Sequence, residues 1–160
     1  MVVDETSTCC FAGGHGHFWQ FNGSADYVSF GKRTQVSGFF HHGEGSTLAG
    51  SEHDVNVFQV IMDGVKEDKL AQRSKEASDK LNSLIGSLAQ TKGIVSARHS
   101  GTNLWLDLDS PQTVQRLIAH LRSNGVVVSQ HGQKGIVTKP SLVLRDNQVE
   151  DFAREMKKFN

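Results

Sequence analysis

The sequence has little of what marks secreted, membrane or disulfide-rich proteins. Its only two cysteines, Cys9 and Cys10, are adjacent, and neighbouring cysteines rarely satisfy the geometry of a disulfide. We therefore expect a reducing compartment. No apolar run approaches the length that crosses a bilayer, and the first ten residues lack the basic and apolar regions of a secretory signal. The sequence predicts an intracellular protein that is not secreted and has no membrane span.

The chain also lacks an excess of either charge. Lysine plus arginine and aspartate plus glutamate each number 17, so the formal net charge is zero. No basic stripe is present, so we predict no nucleic-acid partner. Hydrophobic residues make up 37% of the 160 positions. That fraction is low for a compact α/β domain of this length, and it indicates that part of the core is supplied from elsewhere.

The first third of the chain consists of short strand-like runs separated by loops. The runs are residues 1–3, 27–30 and 36–40, and the loops are residues 11–26 and 41–52. Asp4 follows the first run and Lys32 follows the second. Because ligand sites of open α/β sheets lie at the carboxyl ends of strands, we expect both side chains to face one crevice. An aspartate and a lysine at this spacing are not specific by themselves, since most lysines are solvated surface residues.

Helical and then alternating patterns fill the remainder. Apolar residues at a spacing of three and four predict helices over residues 53–63 and 66–90. Ser110 and Pro111 are typical of the N-cap and first position of a further helix. The later predicted strands are 104–108, 126–128, 136–137 and 141–144, and the later predicted helices are 111–124 and 146–158.

The run DYVSFGKRTQVSGFF, residues 26–40, resembles the segment around the cofactor lysine of class III aminotransferases, which depend on pyridoxal 5'-phosphate (PLP). It is most like the forms found in 4-aminobutyrate aminotransferase and lysine 6-aminotransferase. Other runs resemble the same family in the same order: residues 2–5, 46–48, 98–102, 124–127 and 140–146. A colinear match over nearly the whole chain is more specific than any single motif.

The resemblance implies a set of cofactor contacts. Lys32 takes the place of the lysine that forms the Schiff base with PLP, and Asp4 takes the place of the acid that faces the pyridine nitrogen. Ser7 stands where the family has a glutamine at the cofactor's ring oxygen. Thr47 takes the place of a threonine that holds the phosphate across a dimer interface.

The resemblance also implies fold and activity. The fold would be α/β, with residues 1–52 a remnant of the PLP-binding large domain of fold type I, residues 53–93 connecting helices and residues 94–160 a small α+β C-terminal domain. The activity would be transfer of an ω-amino group, of the 4-aminobutyrate or lysine type, to 2-oxoglutarate. Its implied state is a homodimer or an association with a complementary chain, in the cytoplasm or the mitochondrial matrix.

Three departures from the family pattern keep a second interpretation open. Ser7 is shorter than the glutamine it replaces. Val137 replaces an arginine that contacts carboxylates, and valine cannot make that contact; Lys139 replaces a second arginine with a point charge. The phosphate loop and the ring-stacking aromatic of the family's front half have no counterpart, so we expect weak or no PLP binding by this chain alone. The alternative is a catalytically inactive relative that acts as a structural or interaction subunit.

A third interpretation is a metal-binding module. Its candidate ligands are Cys9, Cys10, His15, His17, His41, His42 and His53. Their spacing fits no known zinc finger or catalytic box, so we predict loop histidines and no metal site.

Overall fold

The computed structural model describes residues 1–8, 25–41, 44–141 and 143–159, without the side chains of Arg33 and residues 44–48. The chain forms two compact units, residues 1–75 and residues 76–160. The predicted loop cysteines, Cys9 and Cys10, lie outside the described residues. The predicted division into residues 1–52, 53–93 and 94–160 stays a prediction about the complete fold. Among the described residues, no helix is both long and apolar enough to cross a membrane.

The first unit contains a four-stranded sheet in the order β1-β2-β3-β4. Its strands are β1 (Val2–Asp4), β2 (Tyr27–Phe30), β3 (Ser37–His41) and β4 (Glu44–Ala49). The pair β1–β2 is parallel, whereas β2–β3 and β3–β4 are antiparallel. The strands predicted at residues 27–30 and 36–40 are confirmed.

The predicted loop over residues 41–52 is wrong, because β4 lies within it. Its sequence, EGSTLA, has no clear alternation of apolar and polar residues. Pairing with β3 satisfies the backbone groups on one side of β4, so tertiary context makes this segment a strand where local preference does not.

An aromatic cluster forms the small core of the first unit. Phe30 and Val36 are buried, and Phe40 and Phe58 pack against them. The rings of Phe30 and Phe40 stack with their centroids 5.1 Å apart. This packing fixes the segment that runs from the end of β2 to the start of β3, which is where Lys32 lies.

Two helices follow the first sheet, and both were predicted. Helix α1 spans Glu52–Glu67 and α2 spans Leu70–Leu88. The Ser51 hydroxyl accepts a hydrogen bond from the Asp54 backbone N–H at 3.3 Å, and the Ser51 backbone N–H donates to the Asp54 carboxylate at 2.8 Å. This reciprocal pair satisfies N–H groups that the helix leaves open at its start. The boundary between the two units falls inside α2.

The second unit is an antiparallel sheet with helices, ordered β5-β6-β8-β7. Its elements are β5 (Ile94–Ser100), β6 (Asn103–Leu108), α3 (Pro111–Ser123), β7 (Ser129–His131), β8 (Gly135–Thr138) and α4 (Asp146–Lys158). The Ser110 hydroxyl caps α3 by accepting from the Thr113 N–H at 3.2 Å, and Pro111 occupies the first turn. The α3 start predicted from the sequence is therefore confirmed.

Two predicted strands of the second unit are wrong for the same reason. Residues 126–128 are not a strand, because the Val126 N–H donates to the Leu121 carbonyl at 2.8 Å and closes the end of α3. The described part of residues 141–144 is a turn, in which the Leu144 N–H donates to the Ser141 carbonyl at 3.2 Å. In both segments, local hydrogen bonds occupy backbone groups that a sheet ladder would need.

The core of the second unit forms where one face of the sheet meets α3. Helix α3 buries Val114, Leu117 and Leu121, all fully inaccessible, and β6 buries Leu104 and Leu106 on one face. The helical spacing of the first set and the alternate spacing of the second put all five on facing surfaces. Burial of this apolar surface is the main stabilising contribution to the second unit.

We expect Leu117→Ala to lower the free energy of unfolding by about 2–5 kcal/mol, because it leaves a cavity in a packed core. Val127, which is 78% exposed, offers a matched control: Val127→Ala should change the same quantity by less than about 0.5 kcal/mol. Urea unfolding followed by circular dichroism measures both. Equal midpoints for the two variants would contradict this account of the core.

Candidate functional site

Asp4 and Lys32 lie at the carboxyl ends of two neighbouring strands of the first sheet. The parallel register pairs Val2 with Tyr27 and Asp4 with Ser29, so β1 and β2 end side by side. Asp4 is the last residue of β1, and Lys32 begins the turn that follows β2. The structure therefore brings together the two residues that the sequence singled out, although their roles stay a prediction.

The Asp4 carboxylate is held by hydrogen bonds. Its Oδ1 atom accepts from the Thr6 backbone N–H at 2.9 Å and from the Ser29 hydroxyl at 3.0 Å. The pKa of Asp4 is lowered, first by the Thr6 backbone N–H, then by the Thr6 and Ser29 side chains, and more weakly by the charge of Lys32. Because hydrogen bonds to the charged form favour ionisation, Asp4 is a carboxylate at neutral pH.

Lys32 has a backbone conformation that is uncommon for lysine. Its φ is 54°, in the left-handed region that L-residues other than glycine seldom adopt. The following turn is closed by the Gln35 N–H and the Gln35 side-chain amide, which both donate to the Lys32 carbonyl, at 3.2 and 3.3 Å. The Thr34 hydroxyl, fully buried, donates to the Val36 carbonyl. These bonds hold the lysine in a costly conformation while its side chain stays exposed.

Gly31 allows β3 to pass close to this turn. A Cβ atom at position 31 would lie 3.1 Å from the Ser37 Cβ, closer than most side chains approach each other. An alanine at position 31 would require Ser37 to shift by a few tenths of an ångström.

Parallel pairing continues one residue beyond β1. The Glu5 backbone N–H donates to the Ser29 carbonyl at 2.9 Å, and the Glu5 carboxylate, which is buried, accepts from the Thr8 hydroxyl. Ser29 therefore contacts β1 and the residue after it through both its side chain and its main chain.

The sequence did not identify Ser29 or Thr6 as site residues. Thr6 had a local signal, because an aspartate often accepts from the N–H two residues later. Ser29 became recognisable only once the register of β1 against β2 was known, since one residue of slip would turn its side chain to the other face.

The structure places Ser7 and Thr47 differently. Ser7 lies in the turn that follows Asp4, so it belongs to the same loop as the acid. Thr47 lies on β4, and β3 separates that strand from β2. The Thr47 side chain is outside the described part of the chain. Cofactor contacts for both residues stay predictions.

Val137 and Lys139, the departures noted in the sequence, belong to the second unit. Val137 pairs with Trp105 on β6 and is 6% exposed, so its side chain is part of the packed sheet. Lys139 follows β8 and is exposed. Position 137 therefore holds an apolar packing residue where the family pattern has a cation.

Most candidate ligands of the metal-binding alternative lie outside the residues that the structure describes. Cys9, Cys10, His15, His17 and His42 are among them. In residues 1–8, 25–41, 44–141 and 143–159, no group of three or more histidine, cysteine, aspartate or glutamate side chains is arranged to hold a metal ion.

Residues 20–159 match the family described as aminotransferase class-III. The chain is 27% identical to a 4-aminobutyrate aminotransferase of Dictyostelium discoideum, covering 95% of this chain and 34% of that protein. It is 30% identical to the mitochondrial 4-aminobutyrate aminotransferase of Rattus norvegicus, covering 95% of this chain and 33% of that protein. The chain thus spans about a third of the length of the curated relatives it matches.

Solved structures agree on the fold. Lysine aminotransferase from M. tuberculosis superposes with a TM-score of 0.83 over 99% of this chain and 40% of its own, at 21% identity. Acetylornithine aminotransferase from Elizabethkingia anophelis superposes with a TM-score of 0.78 over 99% of this chain and 46% of its own, at 21% identity. The α/β fold of type I PLP enzymes, expected from the sequence, is confirmed.

The backbone of Lys32 yields a test of whether this residue serves stability. Glycine has no Cβ to strain at positive φ, so Lys32→Gly is expected to raise the free energy of unfolding by up to about 1 kcal/mol. Lys69, with φ of 52°, is a matched control, and Lys69→Gly should give a similar gain. Urea unfolding measures both variants. A clear loss of stability in Lys32→Gly alone would show that the Lys32 side chain stabilises the fold.

Proposed function

Because the chain belongs to the class-III aminotransferase family, whose members depend on PLP, we propose that it supplies the cofactor lysine of an aminotransferase. The observation that carries the proposal is the placement of Asp4 and Lys32 at one edge of the parallel pair β1–β2. PLP enzymes use an amine to hold the cofactor's aldehyde and an acid to face its ring nitrogen. Lys32 and Asp4 place these two groups at neighbouring strand ends.

The donor set at this edge fits part of the cofactor. PLP presents an aldehyde, a pyridine nitrogen and a phosphate. Lys32 offers an exposed amine suited to the aldehyde, and Asp4 offers an exposed, ionised carboxylate suited to a protonated ring nitrogen. When bound, PLP supplies an electron sink, because its protonated ring withdraws electrons from the reacting carbon.

Each candidate site residue has a separate task in this proposal. Asp4 holds the proton on the ring nitrogen, since it stays ionised in its hydrogen-bonded environment. Lys32 would hold the cofactor at its aldehyde group through the side-chain amine, with release of water, and once free again that amine would carry the proton between substrate atoms. Ser7 is proposed to contact the ring oxygen and Thr47 the phosphate, each through a hydroxyl.

We propose an ω-amine as donor and 2-oxoglutarate as acceptor. The basis for the donor is that the curated relatives are named 4-aminobutyrate aminotransferases and that one structural neighbour is a lysine aminotransferase. The buried Val137 offers no charge for a substrate carboxylate, so recognition of that group depends on other residues.

Residues outside this chain are proposed to complete the site, from a second copy or a complementary chain. In the described residues, β1 pairs on one side only, and Val2 is 75% exposed. Unpaired strand edges favour association with another strand. A partner at this edge would extend the sheet beside Asp4.

A second candidate is a catalytically inactive relative that acts as a structural or interaction subunit. It is favoured by Val137, an apolar residue buried in the sheet at the position where the family pattern has an arginine. It differs from the first candidate in predicting that Lys32 has no special reactivity towards PLP.

Covalent trapping with PLP separates the two candidates. The chain is incubated with PLP and reduced with sodium borohydride, and the labelled lysines are identified by peptide mass spectrometry. We expect weak binding at equilibrium but preferential labelling of Lys32, because Asp4 favours binding of the ring nearby. Lys69, also exposed and at positive φ, is the internal control. Equal labelling of Lys32 and Lys69 would favour the inactive relative.

Activity is tested in the presence of the part of a relative that this chain does not match. The chain is co-expressed with the portion of the R. norvegicus enzyme that it does not match. Glutamate formation from 4-aminobutyrate and 2-oxoglutarate is then measured. We expect activity above that of the rat portion alone, lost in Lys32→Ala and kept in Lys69→Ala. A complex that forms but transfers no amino group would overturn the proposed activity.

A further inference from the structure

We propose that Ser29 is a positioning residue, whose hydroxyl fixes the orientation of the Asp4 carboxylate relative to the strand that leads to Lys32. The inference rests on the proposed function, in which Asp4 holds the ring nitrogen of the cofactor.

The strand register places Ser29 for this task. Asp4 and Ser29 are partners in the parallel pair β1–β2, and partners in a sheet direct their side chains to the same face. The Ser29 hydroxyl lies 3.0 Å from Asp4 Oδ1. Because β2 leads directly into the turn that carries Lys32, this bond connects the acid to the lysine through a few residues of strand.

The two hydrogen bonds on Asp4 Oδ1 have different reach. The bond from the Thr6 N–H is local, since it spans two residues, and it holds the carboxylate against its own loop. The bond from Ser29 spans 25 residues, so it holds the carboxylate against β2. Loss of the Ser29 hydroxyl would leave the bond from Thr6 intact, but the Asp4 carboxylate would no longer be bonded to β2, the strand that leads to Lys32.

The main chain of Ser29 is fixed as well. Its carbonyl accepts from the Glu5 N–H at 2.9 Å, and Glu5 is a buried residue. This backbone bond to a buried residue restrains the position of Ser29. The Ser29 backbone is thus held beside the end of β1, which keeps its hydroxyl within reach of the exposed Asp4 carboxylate.

Hydrogen bonding by Ser29 also favours the charged form of the acid. The backbone N–H and side chain of Thr6 make the larger contributions to the lowered pKa of Asp4, and Ser29 adds to them. Loss of the Ser29 hydroxyl should therefore raise this pKa in part, while Asp4 remains ionised at neutral pH.

The first measurement is the titration of the Asp4 carboxyl carbon by NMR in the full chain, without cofactor. Ser29→Ala should move the Asp4 midpoint to higher pH, and Ser29→Thr, which keeps the hydroxyl, should restore it. Ser83→Ala is the control, because Ser83 donates only to the Lys80 carbonyl of its own helix at 2.6 Å among the described contacts. An unchanged Asp4 midpoint in folded Ser29→Ala would overturn the inference.

A second variant covers the case in which Ser29→Ala does not fold. Ser29→Cys keeps a side chain of similar shape with a weaker donor, so the Asp4 midpoint in this variant should lie at higher pH than in the wild type. A midpoint identical to the wild type would again contradict the positioning role.

PLP trapping separates this inference from the proposed function. If Ser29 positions Asp4 for the cofactor, borohydride labelling of Lys32 should fall in Ser29→Ala and recover in Ser29→Thr. If the Asp4 midpoint moves but wild-type Lys32 is not labelled in preference to Lys69, the proposed function fails and the positioning of Asp4 stands. If Lys32 is labelled equally in wild type and Ser29→Ala, the positioning role in cofactor binding fails.

Discussion

Parallel pairing between β1 and β2 brings Asp4 and Lys32, from distant positions in the chain, to the carboxyl ends of two adjacent strands. In a parallel pair both strands end on the same side, so the residues that follow them share a surface. The same pairing sets Ser29 opposite Asp4, which supplies a second, long-range hydrogen bond to the carboxylate. The geometry of the candidate site thus follows from one strand register.

The turn after β2 carries local strain within a well-packed frame. Lys32 has positive φ, and the hydrogen bonds of Gln35 and Thr34 hold the turn in that conformation. Beneath it, Phe30 and Val36 anchor the strand ends in an aromatic cluster. Strained residues persist when the surrounding structure determines them and often occur at functional sites.

The second unit is stabilised mainly by its buried apolar core. Its core is an apolar cluster to which α3, α4 and β6 all contribute buried side chains. Position 137 belongs to the packed sheet there. The chemistry proposed for this chain is concentrated in the first unit, where β1 pairs on one side only among the described residues and where Asp4 and Lys32 are exposed. A partner that completes the sheet would meet the candidate site at that edge.

The sequence by itself determined the elements whose signals are local. The start of α3 at Ser110 and Pro111, the helical stripes of α1 and α2, and β2 all follow from caps and apolar spacing. The colinear resemblance also identified the family and, through it, Asp4 and Lys32 as the residues of interest.

Only the tertiary structure decided the features that depend on distant partners. Strand β4 exists because β3 pairs with it, and the valines after α3 do not form a strand because Val126 closes the helix. Ser29 joined the site because of the register between two strands that a long loop separates. Side-chain pairing across a sheet has no signature along the chain, since its energy arises from groups that only folding brings together.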